Sequence, residues 1–525
     1  MEGYKETETL NEVSRWAFEK GCDISPKVKF MESGLGLGSA LIATEDIGVR
    51  EPVVTCPESL MISHRVAKRT FGDAFDVQLM QPFIKLALVA EWLKGDQSEW
   101  APYMRIVPQP GQLDLPAFFN EEELTWLHGT NLMVDIEVKL RDWTEEYETA
   151  YQRLPDVLDC GLKKEQFTRD MYLWACGVFN SRSFPARTVY PGIGDTISIL
   201  VPVVDFINHE LESAVHWNCM HETQFTLAPA RVVHPGEIFN NYGPKSNEEF
   251  LFGYGFCILD NPHDTASLKL PANIPRELIQ QTLDAGFVLR GDLVFFLTKH
   301  EPLPPALQMI FRLLVAHNNG LKDPHTPAVT VRSLELLKSS LNNKLASVNS
   351  VSLPPDPSKG HKYKYSRIYR LSQAALFESA LEAADKVISD TIKDNNLKIY
   401  DLDVLPTDPN NHVFLKTACT AFTGEEIDDP KTCANQLIDI GVEDFILILY
   451  LALNPPQATT PQVADPASLQ SMYDDMVTPL MQLDGTTFPR ESLQPEKLAR
   501  ASDLLETFGF SYADDLARER YRVLI

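Results

Sequence analysis

The sequence predicts an α+β protein built in two parts. Three observations carry that expectation. Short β-prone runs punctuated by glycine open the chain and return at Ile197–Val204 and Phe225–Ala228. Between them, over about residues 64–180, the apolar residues take up helical spacing. Beyond about residue 265 helical spacing prevails almost throughout, so 265–525 is expected to be all-helical. At 525 residues the chain is also longer than one hydrophobic core usually serves.

The first part, 1–262, begins with Val28–Phe30, Ser39–Ile42 and Pro52–Thr55 as strand pieces, separated by turns at Gly34, Gly36, Gly38 and Gly48. In the insertion, Phe83, Leu86, Ala87, Ala90 and Leu93 form one apolar face of a helix, and Glu121–Leu127, Asp135–Tyr151 and Lys164–Val178 also suit helices. In the second part the helical stretches are Arg276–Leu283, Pro304–His317, Ser333–Val348, Ile368–Lys393 and Val442–Leu453. Two Pro-rich gaps, 351–360 and 454–466, lack the apolar density for core and are expected to be mobile loops.

The formal net charge is −26. Such a surface repels nucleic-acid phosphates and anionic lipid and favours basic partners, although acidity also serves solubility alone. The N-terminus, MEGYKETETLNEV, is polar and acidic, unlike a signal or transit peptide. The longest apolar stretch, Phe445–Leu453, is too short to span a bilayer. Eight scattered cysteines suit reduced thiols. These features point to the cytoplasm or the nucleus, with neither nucleic acid nor membrane as partner.

Four segments carry candidate chemistry, and each has a plainer reading when taken alone. ESGLGLGSA at 32–40 lets backbone groups approach a ligand closely, or is simply a Gly-rich hairpin. NSRSF at 180–184 offers Arg182 to a ligand carboxylate, or is a surface arginine. PVVDFINHE at 202–210 runs from an apolar strand into Asp205, Asn208 and His209. An Asn amide pairs with adenine through N6 and N7, but Asn and His also cap turns. In GEIFNNYGPKSNEEFLFGYGF at 236–256, Ile238–Tyr242 reads as a short strand and Asn247 opens a helix. Tyr242 and Tyr254 each precede a glycine and offer phenolic hydroxyls, or are core aromatics.

In this order and spacing the four segments resemble the SET-domain methyltransferases, in particular the Rubisco large-subunit methyltransferase-like branch, over residues 20–260 and more weakly over 265–390. The resemblance implies a SET-domain β core with an inserted helical subdomain, then a helical domain that binds protein substrate. It implies S-adenosyl-L-methionine (SAM) as cofactor, held by Ser33, Gly34 and Leu35, by Arg182 at its carboxylate, by Asp205, Asn208 and His209, and by Tyr254. Tyr242 matches the family's catalytic tyrosine, and Phe184 belongs in the substrate channel. Where the family commonly has an acidic residue beside the glycines, this chain has Glu32 one place before Ser33, which favours backbone contacts there.

The implied reaction moves a methyl group to a lysine nitrogen of a basic protein, with the enzyme acting as a monomer. The same constellation also suits a histidine acceptor, and a SET-fold binding protein without catalysis is the third reading. No metal is required. HWNCMH at 216–221 offers His216, Cys219 and His221, but in no standard zinc spacing.

Overall fold

The computed structural model describes residues 4–33, 38–220, 223–289, 293–457, 473, 477–513 and 518–525. Gly34, Leu35, Gly36 and His221, and residues 458–466 of the second Pro-rich gap, lie outside them. The chain forms two compact units, one of Met1–Thr265 with Ser347–Ala374 and one of Ala266–Ala346 with Ala375–Ile525.

The first unit holds two four-stranded antiparallel sheets. In one, Val28–Ser33 pairs with Ser39–Ala43, placing Phe30 opposite Leu41, and Tyr4–Lys5 and Gly236–Ile238 flank the pair. In the other, the order is Asp23–Ile24, Val54–Pro57, Gln224–Pro229, Val215–Met220. A small pair, Ser183–Pro185 with Ser198–Leu200, sets Phe184 opposite Ile199.

The expected strand Ile197–Val204 is shorter than its apolar run. Pairing stops at Leu200, Val203 takes φ 77°, and Val204–Phe206 closes a 3-10 turn. Likewise the strand expected at Ile238–Tyr242 is Gly236–Ile238, which leaves Tyr242 on the following loop.

In the insertion, Met80–Leu93 was expected to bury one face. It is buried all round from Phe83 to Glu91, because helices His64–Phe71, Leu132–Tyr151 and Arg169–Arg182 pack on it. Its two enclosed charges are paired, Lys85 with Glu146 at 2.5 Å and Glu91 with Lys94 at 2.5 Å. The gap 351–360 is not free chain. The next helix, Gly360–Asp394, fastens it through Tyr363, whose hydroxyl donates to Pro354 O at 2.9 Å, and Arg367, which donates to Leu353 O at 3.0 Å.

The α+β class holds, but the second unit is not all-helical. Beside helices such as Pro305–Asn318, His412–Thr423 and Glu443–Leu453 it carries a three-stranded sheet of Ile399–Tyr400, Glu519–Leu524 and Gly509–Ala513. Strand Val294–Thr298 pairs with Thr265–Lys269 in a further sheet. These strands are two to six residues long, too short for alternation to stand out against the surrounding helical spacing.

Candidate active site

Helix Arg169–Arg182 starts at Thr168, whose hydroxyl accepts the Met171 N–H, and its run Tyr172–Phe179 is buried in the core. The helix continues past the expected Val178, so its last turn delivers Ser181 and Arg182. Arg182 Nη1 donates to the main-chain oxygen of Asp205 at 3.0 Å and lies 3.7 Å from its carboxylate.

Asp205 reaches the interior through the bend at Val203. A β-branched residue at positive φ is strained, and such strain persists where surrounding structure holds it. The Asp205 side chain is fully enclosed, and the Tyr103 hydroxyl donates to its Oδ2 at 2.7 Å. Burial pushes this carboxyl up to about 6, against the opposing pull of Arg182 and Tyr103.

Two residues on, Ile207 O accepts the Tyr242 hydroxyl at 3.0 Å. The Tyr242 N–H donates to His209 Nδ1 at 3.0 Å, which leaves the ring hydrogen on Nε2. His209, Tyr242 and Tyr254 stack in sequence, with centroids 5.0 and 4.8 Å apart. Burial holds the Tyr242 hydroxyl far above the ordinary tyrosine range, so it stays a protonated donor. It also lowers His209, which favours the neutral ring.

Tyr254 ends helix Asn247–Tyr254, which opens on a capping box between Ser246 and Glu249. Gly255 closes it at φ 80°, where an added Cβ would stand 2.9 Å from Asp114 O. That explains the Tyr–Gly pair seen in the sequence.

Arg182, Phe184, Asp205, Tyr242 and Tyr254 all line one cavity of about 320 Å³. Sequence reasoning missed two further walls, Trp217 and Asn240. The Trp217 ring meets Phe184 edge-on at 5.3 Å and its Nε1 donates to Asn240 Oδ1 at 3.1 Å. Trp217 stands on strand Val215–Met220 between the His216 and Cys219 of the candidate metal run. Among the described residues no group of three His, Cys, Asp or Glu is arranged to hold a metal ion.

Asn208 and His209 are beside the cavity but not on its wall. The Asn208 amide donates to Ser39 O at 3.2 Å and Glu237 Oε1 at 2.8 Å, tying the turn to the first sheet. His209 Nε2 is buried with no hydrogen-bond partner among the described residues, and the Phe250 and Phe256 rings lie 4.9 and 6.2 Å away. Ser33 is buried at the end of its strand, its N–H donating to Gly38 O at 2.8 Å.

No protein-family model matches the chain. It is 30% identical over 408 residues to the ribosomal lysine N-methyltransferase set10 of Schizosaccharomyces pombe, covering 72% of each chain. It is 25% identical over 508 residues to the protein-lysine N-methyltransferase EFM1 of Saccharomyces cerevisiae, covering 83% of each. Identity to the actin-histidine N-methyltransferase of Dasypus novemcinctus is 27% over 277 residues, 51% of this chain and 46% of that one. Among solved structures, Rubisco LSMT bound to AdoMet superposes with a TM-score of 0.57 at 19% identity, covering 74% of this chain and 94% of that chain. The SET domain of LSMT bound to lysine and AdoHcy gives 0.55 at 18%, covering 74% and 93%.

Proposed function

The chain belongs to the SET-domain protein-lysine methyltransferases of the Rubisco large-subunit methyltransferase-like branch, and on that premise we propose that its 320 Å³ cavity receives the substrate lysine. It is a SAM-dependent protein-lysine N-methyltransferase. When bound, SAM supplies an electrophilic methyl on a sulfonium. Ser33, Gly34, Leu35, Arg182, Asp205, Asn208, His209 and Tyr254 would hold it, and the placement of Arg182, Asp205 and Tyr254 on one cavity supports that assignment.

An incoming lysine, with an ordinary pKa near ~10.4, must lose a proton before it attacks. Phe184, Trp217, Tyr242 and Tyr254 wall the cavity with aromatic surface, which disfavours the charged amine. Tyr242 stays protonated and aligns the acceptor nitrogen, with Ile207 O beside it. The carrying observation is this convergence of Phe184, Asp205, and Tyr242 with Tyr254 on one cavity from three separate segments.

A lysine acceptor is favoured over histidine because the three relatives that span 72–83% of the chain are lysine-specific, whereas the histidine-specific relative spans 51%. Two of the relatives act on ribosomal lysines, so the substrate proposed here is a ribosomal protein in the cytoplasm. A basic partner of that kind complements the net charge of −26. Among the described residues no helix is long and apolar enough to cross a membrane. The second unit is proposed to grip the protein substrate, and the enzyme to act as a monomer. Incubation with labelled SAM and salt-washed ribosomal proteins tests the reading: wild type labels a lysine and Tyr242→Phe does not.

A further inference from the structure

Arg182 presents a difficulty for the reaction. A guanidinium on the wall of a cavity that admits an ammonium repels the substrate before it repels the substrate's proton. The carboxylate that offsets this charge, Asp205, is itself fully enclosed and stands 3.7 Å from Arg182. Beyond that pair, the hydrogen bond it receives from a side chain comes from Tyr103, a residue of the inserted helical region and distant in sequence from every motif.

We propose that Tyr103 is a positioning residue for the lysine-binding wall: its hydroxyl keeps Asp205 ionised beside Arg182, so that the arriving ammonium meets the Asp205 negative charge on the cavity wall. This rests on the lysine reading of the cavity. Tyr103 is built for the task. It is fully buried, its ring stacks on Phe206 at 6.0 Å, and its hydroxyl reaches Asp205 Oδ2 at 2.7 Å. Burial and Asp205 together hold the phenol far above its ordinary range, so it serves only as a donor.

The groups facing Asp205 are Tyr103 on helix Ala101–Met104, Arg182 at its helix end, Cys56 on strand Val54–Pro57, and Tyr242. Burial pushes Cys56, Tyr103 and Tyr242 upward, away from neutrality. Asp205, at about 6, is the member of the group that changes charge in the working range. His209 also titrates below its usual value, but the Tyr103 hydroxyl is bonded to Asp205 and not to it.

The sign follows. Loss of the Tyr103 hydroxyl removes a bond to the charged form, so Asp205 protonates at higher pH, and the wall loses this negative charge where the wild-type wall still carries it. The test is the ratio of variant to wild-type methylation of salt-washed ribosomal proteins from pH 5.5 to 8.5, in which the acceptor's own titration cancels. For Tyr103→Phe the ratio should stay near one above pH 8 and fall as pH drops through 7 and 6 toward about one tenth, the consequence of a shift of about one pH unit. For Asp205→Asn, which lacks that negative charge at every pH, the ratio should instead fall as pH rises through 6. A merely structural tyrosine lowers the rate by one factor at every pH, and a flat ratio overturns the proposal.

The carbon-13 shift of the Asp205 carboxyl supplies a readout that needs no substrate. Its midpoint should lie higher in Tyr103→Phe than in wild type, and an unmoved midpoint contradicts the proposal. If wild type labels no lysine while the midpoint moves as stated, the choice of substrate fails and the Tyr103–Asp205 coupling stands.

Discussion

Glu443 in the second unit and Asp205 in the first are both enclosed carboxylates, with side chains 3% and 0% exposed, yet they are held in opposite ways. Glu443 takes a two-pronged grip from Arg520 at 3.0 and 3.1 Å, plus the Tyr521 N–H at 3.0 Å. Asp205 has one phenol, lesser main-chain contacts at Val203 and its own residue, and a guanidinium set back at 3.7 Å, on the wall of a cavity. A carboxylate that only holds structure together uses up its acceptor capacity within the fold. The loosely paired one remains responsive to what enters beside it, and that difference separates a structural pair from a working one.

The comparison breaks most sharply under substitution. Arg520→Ala leaves Glu443 buried and unpaired, so it should cost about 3–5 kcal/mol in urea unfolding of the whole chain. Asp205→Asn, which removes the charge facing Arg182 but keeps an oxygen that can accept from Tyr103, should cost only about 1 kcal/mol by the same measurement. Equal losses would mean that the two carboxylates do the same job.

Next in size is Tyr242→Phe. It should lower turnover by roughly a hundredfold, the scale of losing one well-placed hydrogen-bond donor at a reacting centre. Calorimetric SAM affinity should stay within about twofold, since the interaction belongs to the transition state. A weakened SAM affinity with preserved turnover would move this tyrosine from the acceptor to the cofactor.

Much of the site was legible because its chemistry sits in contiguous motifs. NSRSF ends a helix, DFINH follows a strand, and YG closes a capped helix, so each carried a local signal. Asn208 was legible as a polar residue after an apolar run, but its amide partners, Ser39 and Glu237, come from other strands and gave no sign in the sequence. Trp217 was hidden inside a run of apparent metal ligands. Tyr103 was hidden further, in a short helix of the insertion whose only chemical message is a tertiary contact. In the three-stranded sheet of the second unit, Ile399–Tyr400 was missed for the same reason, its partner lying far along the chain, while Gly509–Ala513 and Glu519–Leu524 pair locally but are short.

Asn208→Ala sharpens the comparison at the other side of the site. Loss of its two hydrogen bonds should raise the SAM dissociation constant about tenfold, consistent with a hydrogen-bond loss of about 1–2 kcal/mol. Titration calorimetry on the folded variant checks this, and unchanged binding would confine Asn208 to holding the turn against the first sheet.

The smallest effect belongs to the second unit's surface. Glu426→Lys reverses an exposed charge and should slow methylation of ribosomal proteins about threefold at low salt, with the loss fading as ionic strength rises. A loss that salt does not relieve would argue against substrate recognition by charge.

The central claim is that this cavity methylates lysine. Its most direct test is mass spectrometry of ribosomal proteins after incubation with wild-type enzyme and deuterated-methyl SAM. The account predicts the label on a lysine side-chain nitrogen and its loss with Tyr242→Phe. Label on a histidine ring, or undiminished lysine label from the Tyr242→Phe enzyme, would contradict it.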